Sequence, residues 1–296
     1  MRSKKDYFLL ALKGAGMGAA NVIPGVSGGT IAFLTGIFQE LVDSLKSFDG
    51  NAVKMFFTGK FKEFWKTING NFLLAVGIGV LVSIFSLAKL MELLLEKYPI
   101  EVWSFFFGLI LVSIYYLAKE AKGVKVSHLI SGIVGIAFGA FICLVSPSET
   151  PDALWFIFLC GAIGMCTMIL PGISGSFVLL LLGKYDYIIS AVSELNIPVL
   201  AVFGVGAVIG ILAFSHLLSW MYKKFYNGTV LFLSGLMLGS LIKVWPWKTI
   251  LASGVDRPVM PGSYVGDPHL ASAVICMAIG VALVVVLNVT AVKKGE

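Results

Sequence analysis

Histidine, charge and catalytic motifs are all scarce in this chain. Its three histidines, His128, His216 and His269, stand far apart. No His-Glu-x-x-His pair, phosphate-binding Gly-Lys-Ser/Thr loop or nucleophile elbow occurs, so the usual hydrolytic and nucleotide-dependent constellations are missing and the chain reads as a non-enzyme. Cys143, Cys160, Cys166 and Cys276 lie in apolar segments without metal-ligand spacing, which argues for packing thiols and against a zinc site or a disulfide framework. No cofactor or metal is expected. Charged residues make up 13% of the 296 positions, too few for an ordinary soluble domain.

What the chain has instead is apolar length. Apolar residues reach 58% and the mean hydropathy is +0.95, which defines an all-α polytopic membrane protein. The 22 Lys and Arg outnumber the 16 Asp and Glu, but they sit in short loops between apolar runs. They therefore read as topology signals and not as a nucleic-acid surface. The basic start, Arg2 to Lys5, followed by an apolar run has the outline of a leader. The same run recurs internally from Gly161, so it is expected to be retained.

Two stretches interrupt the apolar runs where a spanning helix tolerates it least: Pro24-Gly25-Val26-Ser27-Gly28-Gly29-Thr30 and Pro171-Gly172-Ile173-Ser174-Gly175-Ser176-Phe177. Pro removes a backbone donor, Gly costs about 1 kcal/mol of helix stability, and an unpaired peptide group in hydrocarbon costs several kcal/mol more. Such breaks are expected where backbone lines a protected or watery cavity. They belong to a longer repeat. At an offset of 147 residues Gly14, Ala15, Pro24, Gly25, Ser27, Gly28 and Gly36 meet identical residues, and at 127 so do Gly77, Gly79, Leu90, Lys97, Gly108, Leu109, Leu111 and Ser113. The difference is an insertion in the first half, and the pattern predicts a duplicated unit.

The first repeat is predicted over 1–146: a re-entrant helical hairpin at about 7–45, an amphipathic basic insertion over 46–70, and three transmembrane helices over 71–146. The second covers 147–296, with a hairpin at about 154–192 and three spans over 197–291. The insertion interleaves Lys46, Lys54, Lys60, Lys62 and Lys66 with Phe48, Phe56, Phe57, Phe61, Phe64 and Trp65, which suits the anionic cytoplasmic leaflet. Lysine bias places both termini in the cytoplasm. An odd number of crossings per half then makes the repeats inverted in topology, with their hairpins meeting near the midplane.

A helix start presents unpaired N–H groups and a positive dipole end. Ser27, Gly28, Gly29 and Thr30, with Ser174, Gly175 and Ser176, therefore form candidate anion seats, or else simply cap and pack their helices. Charged residues within apolar segments are functional candidates by default. Glu40 and Asp186 are candidate proton carriers, and Lys89 and His216, matched at the 127 offset, are candidate charge partners. Gly14/Gly18, Gly135/Gly139, Gly206/Gly210 and Gly235/Gly239 read as helix-contact pairs.

The stretch Asn21-Val22-Ile23-Pro24-Gly25-Val26-Ser27-Gly28-Gly29-Thr30, continuing through Gly36 to Glu40, with Leu170 to Ser176, resembles the signature of a bacterial membrane family first catalogued as a domain of unknown function and described as undecaprenyl phosphate translocases. The resemblance covers nearly the whole chain. It implies a plasma-membrane transporter that returns a polyprenyl phosphate from the outer to the cytoplasmic leaflet by alternating access, in support of cell-wall synthesis, with the head bound by Asn21 and the two seats. Ser176 and Phe177 replace Gly29 and Thr30 in the second copy, so the seats are not equivalent. A secondary transporter of a small soluble anion or ion is the alternative on the residues alone. The sequence leaves open whether the chain forms a homo-oligomer.

Overall fold

The computed structural model describes residues 2–22, 26–145, 150–250 and 256–292. The first Pro-Gly pair, Pro24 and Gly25, lies outside them, as do Ser146 to Glu149, residues 251–255 and Lys293–Lys294. The chain is mostly helical: α1 (Lys4–Val22), α2 (Gly28–Leu34), α3 (Phe38–Lys46), α4 (Gly50–Phe57), α5 (Phe61–Thr67), α6 (Gly70–Lys97), α7 (Pro99–Lys119) and α8 (Val126–Leu144) precede α9 (Leu154–Ile169), α10 (Gly175–Leu181), α11 (Tyr185–Ser193), α12 (Ile197–Lys224), α13 (Tyr226–Val244) and α14 (Leu270–Val292). A small antiparallel pair, β1 (Lys248–Ile250) and β2 (Asp256–Pro258), follows α13.

Six helices, α6, α7, α8, α12, α13 and α14, are long and apolar enough to cross a membrane, and a seventh span results if α10 and α11 count as one. Those two are bent by 109° at their break.

The predicted pieces 28–45 and 174–192 are each split, into α2 and α3 and into α10 and α11. The cause is a glycine in the left-handed region, Gly36 at φ +70° and its register partner Gly183 at φ +62°. Both ends are Schellman closures. Gly36 N–H and Ile37 N–H donate to the carbonyls of Phe33 and Ala32, and Gly183 N–H and Lys184 N–H donate to those of Leu180 and Leu179.

Glycine sets the helix pairing. A Cβ on Gly14 of α1 would lie 2.2 Å from the Val76 carbonyl of α6, and one on Gly79 would lie 1.9 Å from that of Ala11. The register partners repeat this residue for residue, with Gly161 against Phe203 at 2.2 Å and Gly206 against Phe158 at 2.1 Å, so α9 packs on α12 as α1 packs on α6. The other contacts cross between the halves. Gly108 of α7 approaches Met277 of α14, and Gly235 of α13 approaches Gly132 of α8, while α7 and α13 pack on each other. These contacts put α8 and α14 in register at an offset of 145, which shared residues were too few to reveal.

Candidate functional site

At the second break α9 ends before Pro171, which has no N–H to continue the ladder, and Leu170 takes the extended conformation (φ −65°, ψ 126°) that a following proline demands. Gly172 then turns at φ +89°, with room for no side chain: a Cβ there would meet Ser240 Oγ at 2.8 Å and Met237 Cα at 2.9 Å, both of α13. Ser27 and Ser174 are both extended N-caps, of α2 and α10.

The two breaks are bonded to each other. Ser27 Oγ accepts the N–H of Gly29 at 3.0 Å, capping α2, and donates to the carbonyl of Leu170 at 2.8 Å. Thr30 Oγ1 accepts the N–H of Gly172 at 3.0 Å. Gly29 lies so close to the end of α9 that a Cβ would sit 2.3 Å from the Ile169 carbonyl. Asn21 Oδ1 accepts the N–H of Gly28 at 2.7 Å, tying the end of α1 to the start of α2. Ser27 and Thr30 are fully buried, so the pairing of the Gly29 and Gly172 N–H groups and of the Leu170 carbonyl is what a low-dielectric interior requires of them.

The second seat is built differently. Ser174 makes no side-chain cap bond to α10; its hydroxyl lies 2.6 Å from Ser176 Oγ. Ser174 is buried and Ser176 half-buried. Lys243 of α13 places Nζ 4.6 Å from the centre of the ring of Phe177, the residue that follows Ser176. Sequence reasoning passed over Lys243 as the start of a loop. Its signal was a lysine ending an apolar helix on the side assigned to the outside, where the positive-inside rule disfavours one.

The charged candidates are dispersed. Arg2 donates to both Glu40 oxygens, at 2.7 and 2.6 Å, and Asn69 Nδ2 donates to Oε1 at 2.8 Å. Burial pushes the Glu40 carboxyl up, but the bonds from Arg2 and Asn69 and the charges of Arg2 and Lys13 outweigh it and leave the carboxyl below its ordinary range. Asp186 is exposed in the first turn of α11. Lys89 and His216 lie on exposed faces of α6 and α12, with His216 Nδ1 at 2.9 Å from the Leu212 carbonyl. Lys13 Nζ donates to the Thr35 carbonyl at 2.6 Å, and the buried Lys184 donates to the Thr150 carbonyl at 2.6 Å and to Asp152 at 2.7 Å. No group of three or more His, Cys, Asp or Glu gathers among the described residues.

An apolar cleft of about 290 Å³ lies near the end of α13, lined by Phe107, Leu238, Leu241, Ile242, Trp245 and Pro258. It offers a surface to hydrocarbon and none to an anion.

A membrane protein with two broken helices bonded at a buried hydroxyl junction is the class that this arrangement defines. Residues 17–259 match the VCA0040-like family, described as undecaprenyl phosphate translocase-like, and the chain belongs to that family. It is 44% identical over 251 residues to a polyprenyl-phosphate transporter of Vibrio cholerae, covering 85% of this chain and 82% of the relative. To a polyprenyl-phosphate transporter of Staphylococcus aureus it is 30% identical over 253 residues, covering 79% and 85%. No solved structure matches the chain.

Proposed function

We propose that this chain is a transporter that returns undecaprenyl phosphate from the outer to the cytoplasmic leaflet of the bacterial plasma membrane, supplying the carrier lipid for cell-wall polymers. The observation that carries the proposal is the junction of the two breaks, where Ser27 reaches Leu170 and Thr30 reaches Gly172. The family membership supports a lipid phosphate as cargo, and the names of the two relatives agree.

The phosphate is held at the amino ends of α2 and α10, by Ser27, Gly28, Gly29 and Thr30 and by Ser174, Gly175 and Ser176. Asn21 orders the first seat and Lys243 supplies charge to the second. Of the two, the Ser174–Ser176 pair is the more open to a ligand, because Ser27 is already engaged on both sides while Ser174 caps nothing. A phosphate oxygen takes hydrogen bonds from hydroxyls and amides at lower cost than in hydrocarbon. The prenyl tail remains in lipid, along apolar surface such as the α7–α13 cleft. No chemistry on the phosphate is needed, so the chain acts as a transporter and not as an enzyme.

Alternation between two inverted repeats moves the head. The recurring glycine contacts and the reciprocal packing of α7 on α14 and α13 on α8 support that symmetry. Both termini are cytoplasmic, and α4 and α5 rest on the anionic inner leaflet. Their exposed Phe57 and Phe61, their Lys54, Lys62 and Lys66, and Lys60 at the cap of α5 fit that surface. The test is reconstitution: vesicles carrying the protein are expected to clear undecaprenyl phosphate from the leaflet facing the α11 end, and vesicles with a Ser174→Ala, Ser176→Ala double variant to clear it at the protein-free rate. Equal clearance by both would refute the assignment.

A further inference from the structure

The helix pairing differs most between the halves at one place. α3 packs against the carboxyl-terminal part of α12, whereas no comparable packing joins α11 to the carboxyl-terminal part of α6 among the described residues. At the α3–α12 contact Ser219 Oγ donates to Asp43 Oδ1 at 2.8 Å, and Lys46 Nζ donates to Ser219 Oγ at 3.3 Å. Phe38 and Tyr222 stack obliquely with ring centres 6.1 Å apart, and Val42 and Leu218 are buried in the same core. At the equivalent place in the other half, Ile189 of α11, the register partner of Val42, is exposed, and Met91 and Leu95 of α6, the partners of Leu218 and Tyr222, are only half-buried.

The residues that would close the second place are present in register. At the 147 offset Tyr185 stands for Phe38, Ser190 for Asp43 and Ser193 for Lys46; at the 127 offset Leu95 stands for Tyr222 and Glu92 for Ser219. Acid and hydroxyl have changed places in the sequence. The hairpin carries the acid in the first half and the hydroxyl in the second, and the long helix carries the reverse. An aromatic residue on the hairpin and a large apolar or aromatic one on the long helix stand at these register positions in both halves.

We infer that the contact of α3 with α12, held by Asp43, Ser219, Phe38 and Tyr222, is a gate, and that α11 closes on α6 in the alternate state, with Tyr185 against Leu95. The inference rests on the proposed transport reading and adds the two surfaces between which the cycle runs. The α3–α12 end carries Lys46, Lys223 and Lys224, so on the proposed orientation the gate closed here is the cytoplasmic one. Tyr222 also suits a contact that must break. Its hydroxyl is buried there without a hydrogen-bond partner among the described residues, a cost that opening to water removes.

The test is cysteine cross-linking of the full chain in vesicles, after replacement of the four native cysteines by serine. Asp43→Cys with Ser219→Cys, and separately Tyr185→Cys with Leu95→Cys, are treated with an oxidant. Each pair is expected to form a disulfide and to lose transport, with recovery on reduction, and a chain carrying all four substitutions is expected to close one pair or the other but never both. The first pair closing without loss of transport, the second failing to close at all, or both closing in one molecule would each overturn the gate. Binding of undecaprenyl phosphate to the reduced pairs is measured alongside. Its absence from the parent chain would count against the transport reading itself, whereas intact binding and transport without the second cross-link would overturn the gate alone.

Discussion

Thr30 and Gly172, 142 positions apart in the chain, are joined by a 3.0 Å hydrogen bond from the Gly172 N–H to Thr30 Oγ1. It ties the start of one short helix to the break that precedes another, inside a core from which Thr30 is not exposed at all. Thr30→Val keeps the shape and removes the acceptor, leaving a buried N–H unpaired at about 1–3 kcal/mol. Thr30→Ser keeps it. Melting in detergent is expected to fall for Val and to stay close to the parent for Ser; equal melting of the two would show that the bond carries no weight.

Gly29→Ala adds a methyl 2.3 Å from the Ile169 carbonyl, a backbone atom that cannot swing away. The two breaks must part, and transport is expected to be lost together with thermal stability. Gly204→Ala is the control, since a Cβ there meets nothing within 4 Å. It is expected to leave both unchanged.

Gly36→Ala meets no neighbour either, yet its backbone sits at φ +70°. The cost is purely conformational, about 1–2 kcal/mol, and Gly183→Ala at φ +62° is expected to cost about as much. A melting shift at Gly36 no greater than that of Gly204→Ala would contradict the conformational reading.

Glu40 is held below its ordinary carboxylate range by Arg2 and Asn69 despite partial burial. A lowered folded-state value means that its contribution is present at neutral pH and is lost as pH falls through the folded value, under the ordinary carboxylate range. Over that range the parent is expected to lose melting temperature more steeply than Glu40→Gln. Parallel curves would show that Glu40 is not the group responsible. The same tie makes Glu40 a poor proton donor at neutral pH unless Arg2 moves away.

Much of the frame was legible in the sequence. The apolar runs became the six long helices, and the paired glycines became backbone contacts, because both depend on local composition and on the absence of a side chain. What was not legible depends on direction. Lys89 and His216 share a register, but register fixes a place along a helix and not the face it presents, and both lie on exposed faces. Asn21, Ser27 and Thr30 were singled out as a candidate phosphate seat, and the structure shows each of them in hydrogen bonds around the start of α2. That Ser27 and Thr30 would bond across to Leu170 and Gly172 depends on a tertiary contact that no spacing encodes. Lys243 was missed because its neighbour Phe177 lies on another helix.

Replacing Lys54, Lys60, Lys62 and Lys66 by Gln tests the placement of α4 and α5. A spin label at Phe57→Cys is expected to sit within reach of lipid-dissolved oxygen in anionic nanodiscs, and to emerge into water in the Gln variant or at high salt, at about 1 kcal/mol of surface attraction per lysine. A label equally watery in both chains would contradict it.

The central claim is that the bonded breaks seat the head of a lipid phosphate. The most direct measurement is binding of undecaprenyl phosphate to the purified chain, against undecaprenol and inorganic phosphate, in the parent and in Ser174→Ala and Ser176→Ala. The account predicts binding that needs both phosphate and tail, weakened about tenfold by either substitution, equivalent to about 1.4 kcal/mol. Binding of undecaprenol as tight as that of its phosphate, or indifference to both substitutions, would contradict it.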